Sequence, residues 1–242
     1  MLPSSLQAPV AFAIAESGLA ACLDRGGSRL LLGDEEREFD LPATALAFHD
    51  EVLTVLDVDR VVAIAPGRGV LSVIPVKAGA TAVGVSMGGG LLVGFGESEH
   101  GTIVQRLGEH PLEIRSPAGF TVRALAVDTG GFWAGGDRRL IGFRPTVGSV
   151  TVRADLPLPA AARAMTVGPD GALYVLLSDG RRLVRVKDGQ ATDAGTSDEE
   201  LCGIARYGRQ LLGCGASATV DLSSMVLQPP EKGPEFSVPA CD

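Results

Sequence analysis

A chain of 242 residues with 45% hydrophobic content can bury a substantial core, and its composition is not that of a disordered chain. Twenty-one Lys and Arg against 29 Asp and Glu leave a net charge of −8, which argues against a surface built for nucleic-acid phosphates. No run approaches the roughly 20 apolar residues of a membrane-spanning helix, and the start, MLPSSLQAPVAFAIAESGLAACLD, lacks the basic region of a secretory leader, so no membrane partner and a cytoplasmic location are expected.

The first element in chain order is SSLQAPV, 4–10, which resembles the outer strand preceding each later unit and is expected to close the last blade of a ring. PEFSVPACD, 234–242, competes for the same edge. From residue 11 a pattern begins that returns five times: AFAIAESGLAACL at 11, ALAFHDEVLTVLD at 45, AVGVSMGGGLLVGF at 82, ALAVDTGGFWAGG at 124, AMTVGPDGALYVLL at 164 and GIARYGRQLLGCG at 203. The starts are 34, 37, 42, 40 and 39 residues apart, near the length of a four-stranded propeller blade. Each unit opens small, large, small, large, the period of a strand. The small side is expected at the crowded axis and the large side between neighbouring sheets.

Asp128-Thr129-Gly130-Gly131 and Pro169-Asp170-Gly171 then supply the turn to a second apolar strand such as LYVLL, 173–177. A third strand follows (RRLVRVK, 181–187) and then a more polar fourth (SVTVRADL, 149–156, in its own unit), which would blunt the outer edge. The prediction is one all-β domain over 1–242, a six-bladed β-propeller of four-stranded antiparallel blades at 11–44, 45–81, 82–123, 124–163, 164–202 and 203–242.

VGPDGALYVLLSDGRRLVRV, 167–186, resembles a blade of the six-bladed propellers that include NHL-repeat proteins and the SMP-30/gluconolactonase family. That resemblance implies one candidate activity, a metal-dependent lactonase with carboxylate and Asn ligands around calcium at the channel mouth. This chain contains no Asn, and Glu16, Asp50, Asp128 and Asp170 occupy first hairpins, where acids also serve simply as turn formers. No catalytic residue, metal ligand or cofactor is therefore assigned. His49, His100 and His110 lie in no hydrolase motif. Cys22 belongs to the first unit, and Cys202, Cys214 and Cys241 to the last unit or its approach, neighbours in a closed ring. A disulfide or metal staple is conceivable there, but free thiols packed as small hydrophobes are expected.

The most regular polar feature is the turn between second and third strands: Asp24 with Arg25, Asp59 with Arg60, Glu99 with His100, Asp137 with Arg138, and Asp179 with Arg181 and Arg182. These turns would form a mixed-charge face able to set register and encounter rate with a partner protein. The leading expectation is thus a non-catalytic cytoplasmic scaffold for protein–protein interaction, with a lactonase or other hydrolase and a ligand-sensing propeller as alternatives. Bacterial propellers of this general look accompany AAA+ ATPases of the MoxR class and von Willebrand A-type proteins, which suggests the kind of partner without any residue specifying it.

Overall fold

The computed structural model describes residues 6–40, 42–86, 89–96, 100–107, 110–146, 149–216 and 218–227. The first sheet is β1 (Ala11–Ile14), β2 (Ala20–Asp24), β3 (Arg29–Leu32) and β4 (Glu35–Glu38). The second is β5 (Ala45–His49), β6 (Val52–Leu56), β7 (Arg60–Ala65) and β8 (Gly69–Pro75). The third is β9 (Ala80–Val85), β10 (Leu91–Phe95), β11 (His100–Leu107) and β12 (His110–Ala118). The fourth is β13 (Ala124–Asp128), β14 (Gly131–Gly135), β15 (Arg139–Thr146) and β16 (Ser149–Pro157), and the fifth is β17 (Ala162–Val167), β18 (Leu173–Leu177), β19 (Arg182–Lys187) and β20 (Gln190–Thr196). The last holds β21 (Leu201–Tyr207), β22 (Gln210–Gly215) and β23 (Ala218–Asp221). A 3-10 turn at Arg25–Gly27 and a short helix, α1 (Ser223–Leu227), are the helical segments among the described residues.

Each sheet is an antiparallel meander in strand order, so the β-propeller predicted from the repeats is present. The expectation of six complete four-stranded blades is corrected: five sheets have four strands, and β21–β23 has three among the described residues. A three-stranded sheet leaves β23 as its outer strand, and residues 228–242 lie outside the described part. The opening hairpins form as their sequences require. In the fifth blade Gly168 N–H donates to the Ala172 carbonyl, and Gly171, at φ 75°, supplies the left-handed turn position that favours glycine.

The alternation of the inner strands has a different meaning from the one expected. Both of its sides face neighbouring blades, because each sheet stands radially and presents one face to either neighbour. The large residue of one blade clusters with the small residues of the blade before it: Leu46 with Ala11, Val83 with Ala45 and Ala47, Met165 with Ala124 and Ala126, and Ile204 with Ala164. Leu125 shares a cluster with Ala82 and lies over Gly84, where an added Cβ would stand 3.5 Å from Leu125 Cβ. Phe12 completes the circle beside Ala205 and Gly203. This is knob-and-hole packing at interior density, repeated around the axis.

The first and last blades meet through Phe12 and through backbone bonds of the N-terminal segment. Leu6 N–H donates to the Ala216 carbonyl at 3.2 Å, while Gln7 and Ala8 carbonyls accept from Arg25 and Gly26. The polar outer edge expected of every blade holds for β4, Glu-Glu-Arg-Glu, but not for β8, whose Val70, Leu71 and Val73 are each more than half exposed. Among the described residues no helix is long and apolar enough to cross a membrane.

Candidate functional site at the channel mouth

The six inner strands run side by side around the axis, so equivalent residues form rings. Where the strands begin, Val10, Thr44, Thr81, Arg123, Arg163 and Cys202 surround a hollow of about 100 Å³. Where they end, the channel opens into a recess of about 440 Å³. Apolar side chains, among them Phe12, Ile14, Phe48, Val85, Val127 and Val167, line it together with Glu16, His49, Asp50, Ser86, Thr166 and Arg206, and the wall exposes polar and apolar surface in similar measure.

The inner strands and their first hairpins position these groups. His49 ends β5, and Asp50 follows in the left-handed region at φ 50°, with its Oδ2 3.9 Å from His49 Nε2. Ser86 Oγ accepts from Gly90 N–H across its own turn. Arg206 extends β21 to the rim and donates from Nε to the Gly208 carbonyl at 3.1 Å.

Asp128 and Asp170 do not join the mouth as free carboxylates. Asp128 Oδ1 accepts from Gly130 N–H at 2.7 Å, and its Oδ2 accepts from Trp133 Nε1 and from Arg153. Asp170 repeats the arrangement one blade on, with Ala172 N–H, the Tyr174 hydroxyl at 3.3 Å and both Arg185 Nε and Nη2 as donors. Burial alone would raise both carboxyls, but the arginine, aromatic and backbone donors prevail and hold them below the usual carboxylate range. Both acids therefore brace their hairpins, as the turn chemistry predicts. Among the described residues no three carboxylate or histidine groups converge, so the mouth does not fit a resident calcium ion, which takes six or more oxygen ligands.

The predicted mixed-charge turns do meet the connections that enter the blades: Val76 N–H donates to the Asp59 carbonyl, Leu158 to Arg138 and Ser197 to Arg181. Their pairing differs from the adjacent acid–base order. Asp24 is wholly buried and paired with Arg29, so it offers nothing to an approaching partner, while Arg25 lies 4.0 Å from Glu38. Arg60 pairs with Asp57 at 2.9 Å instead of Asp59. Asp137 pairs with Arg123, Asp179 with Arg182 at 2.7 Å, and Arg181 donates to the Asp198 carbonyl. Glu99 lies outside the described residues, as do the side chains of His100 and His110.

Arg206, Ser86 and Thr166 are mouth residues that the sequence reading did not single out. A signal for Arg206 was present. Counted from each repeat start its register holds Ile14, Phe48, Val85, Val127 and Val167 elsewhere, so it alone breaks an apolar ring. The structure also gathers Cys22, Cys202 and Cys214, all buried and unoxidised, with Cys22 Sγ 3.7 Å from Cys214 Sγ. Hydrogen bonds from Cys214 and then Cys22 draw the Cys202 thiol down to about 5, and the same contacts to Cys202 push Cys22 and Cys214 up. Cys241 lies outside the described residues.

No protein-family model and no curated protein matches this chain. Solved structures do. A gluconolactonase from Xanthomonas campestris is similar with a TM-score of 0.68 at 11% identity, over 89% of this chain and 86% of that one. An inactive variant of virginiamycin B lyase from Staphylococcus aureus, solved with quinupristin, gives 0.66 at 15% over 88% and 79%. Regucalcin, a calcium-binding protein from Agrobacterium tumefaciens, gives 0.65 at 13% over 92% and 86%. At such identities the likeness is one of fold.

Proposed function

We propose that this chain binds a small organic molecule in the channel mouth, one with an apolar body and an anionic or hydrogen-bond-accepting group that meets Arg206 and His49. The recess carries this reading: a cavity of about 440 Å³ that exposes polar and apolar surface in similar measure, with Glu16, His49, Asp50 and Arg206 among its lining residues, has the size of a small-molecule site. The neighbours named for gluconolactonase and lyase activities support a small-molecule role above the scaffold expected from the sequence. Lactone opening is the reaction to assay first, without a resident hard cation, since the acids of the fourth and fifth hairpins are already bound to Arg153 and Arg185.

The test is a panel of lactones and of aliphatic and aromatic carboxylates, screened by thermal shift and by turnover. A saturable ligand whose affinity falls at least about tenfold in Arg206→Ala and in His49→Ala, about 1.4 kcal/mol, supports the site. A ligand bound equally by wild type and both variants sinks it. A protein-binding role keeps one favourable observation, the exposed apolar edge formed by Val70, Leu71 and Val73 on β8, because an unpaired apolar edge strand is a template for another chain.

A further inference from the structure

The three clustered cysteines come from three strands that only ring closure brings together: β2 of the first blade, and β21 and β22 of the last. Several local features cooperate to aim them at one point. Cys22 pairs with Phe12 across the β1–β2 ladder and shares its face. Phe12 in turn lies against Gly203, where an added Cβ would stand 3.0 Å from Phe12 Cβ and 3.1 Å from its backbone nitrogen. Gly203 thus lets the last blade approach the first more closely than any side chain would allow.

Gly203 is also the partner of Cys214 in the β21–β22 ladder. In a regular strand Cys202 would point away from Cys214, because neighbouring residues alternate in face. The ladder slips by one residue between Leu201 and Gly203, leaving Cys202 as the extra residue of a bulge. A bulge re-aims the side chain it carries. The three Sγ atoms consequently lie within 4.8 Å of one another.

From this geometry we propose that Cys22, Cys202 and Cys214 form a buried trithiolate site for Zn2+ that staples the first blade to the last. Tetrahedral zinc with Zn–S of about 2.3 Å places its sulfur ligands about 3.8 Å apart. The Cys22–Cys214 separation is 3.7 Å, well beyond the roughly 2 Å of a disulfide. Leu6, Phe12, Leu31 and Ala205 surround the sulfurs with apolar side chains. Cys202 also borders the 100 Å³ hollow at the far end of the channel, which gives an ion a route in and leaves room for a water as fourth ligand. Asp24, two residues along β2 from Cys22 and on the same face, is fully buried, and its Oδ1 has no hydrogen-bond partner among the described residues. The site stands at the opposite end of the channel from the proposed small-molecule mouth and does not depend on it.

The experiment uses the full chain, reduced and stripped of metal, titrated with Zn2+ and separately with Cd2+ as a spectroscopic probe. The expected result is saturation at one ion per chain, a thiolate-to-cadmium charge-transfer band in the ultraviolet, release of bound thiol protons and a higher melting temperature. Cys202→Ser should lower the affinity for Zn2+ at least tenfold, while Cys241→Ser keeps the stoichiometry at one. Should Cys202→Ser fail to fold, the wild-type titration and its melting shift still decide the matter. Three thiols that stay fully reactive in excess Zn2+, a Cys22–Cys214 disulfide in the protein as isolated, or loss of zinc only in Cys241→Ser would overturn the proposal.

Discussion

Asp170 illustrates how one side chain can stand for a turn former in the sequence and for a latch in the structure. Its carboxylate ties the first hairpin to Tyr174 on the second strand and Arg185 on the third. Asp170→Asn should cost about 1.5–3 kcal/mol at neutral pH, the range for a hydrogen bond to a charged group, read as a lower urea midpoint at unchanged slope. The pH dependence follows from the lowered carboxyl. The stabilisation is complete above the unfolded value near 4 and is lost as pH falls through the lower folded value, so wild type and variant should converge in acid. A constant gap down to strongly acidic pH would contradict the latch. Tyr174 provides an alkaline counterpart, since burial first and then the Asp170 charge raise its hydroxyl to about 12. In Tyr207→Phe the remaining phenol should ionise in the folded protein with a midpoint near 12, followed by its ultraviolet absorbance. Stability linked to this group is present below the unfolded value of about 10 and lost as pH rises towards 12. A midpoint near 10 in folded protein would show that the phenol is not buried beside Asp170.

At the scale of the strand, the inner-strand alternation was legible because it is a local period, and its starts at 11, 45 and 124 coincide with β1, β5 and β13. Which neighbour each side would meet was not legible, because that depends on the radial stance of the whole sheet. The knob-and-hole account gives a coupled prediction. Gly84→Val would drive side-chain atoms into Leu125 and should destabilise by about 1–3 kcal/mol, the usual cost of overpacking. Adding Leu125→Ala should recover part of that loss, a non-additive result expected only of side chains in contact. Strict additivity in the double-mutant cycle would refute the packing assignment. The bulge at Cys202 was equally hidden, since a one-residue slip leaves no mark in composition and the same register holds Thr81 and Arg163 in slipped ladders of the third and fifth blades.

For the molecule as a whole, the repeats announced a propeller, while the strand count of the last sheet lay beyond a pattern whose outer strands vary most. The candidate site was only partly readable. Glu16, His49 and Asp50 stood in the hairpins already noted, whereas Arg206 needed the register of all six repeats to be compared. The pairing of the charged turns was not legible, since it depends on residues outside each turn: Asp24 and Asp57 are buried against Arg29 and Arg60. Reversing the charges of Asp137, Arg138, Arg181 and Arg182 should accordingly leave ligand binding at the mouth unchanged, with a loss of stability of only about 1 kcal/mol per exposed pair broken. Calorimetric titration of the variant checks it, and lost ligand binding in folded variant would move the site to the charged face. The most direct test of the small-molecule site is crystallographic, by soaking crystals with the hits of the lactone and carboxylate panel. The account predicts ligand density in the recess between His49 and Arg206, absent from Arg206→Ala crystals soaked alike. Density seated elsewhere on the propeller, with the recess unoccupied at saturating ligand, would contradict it.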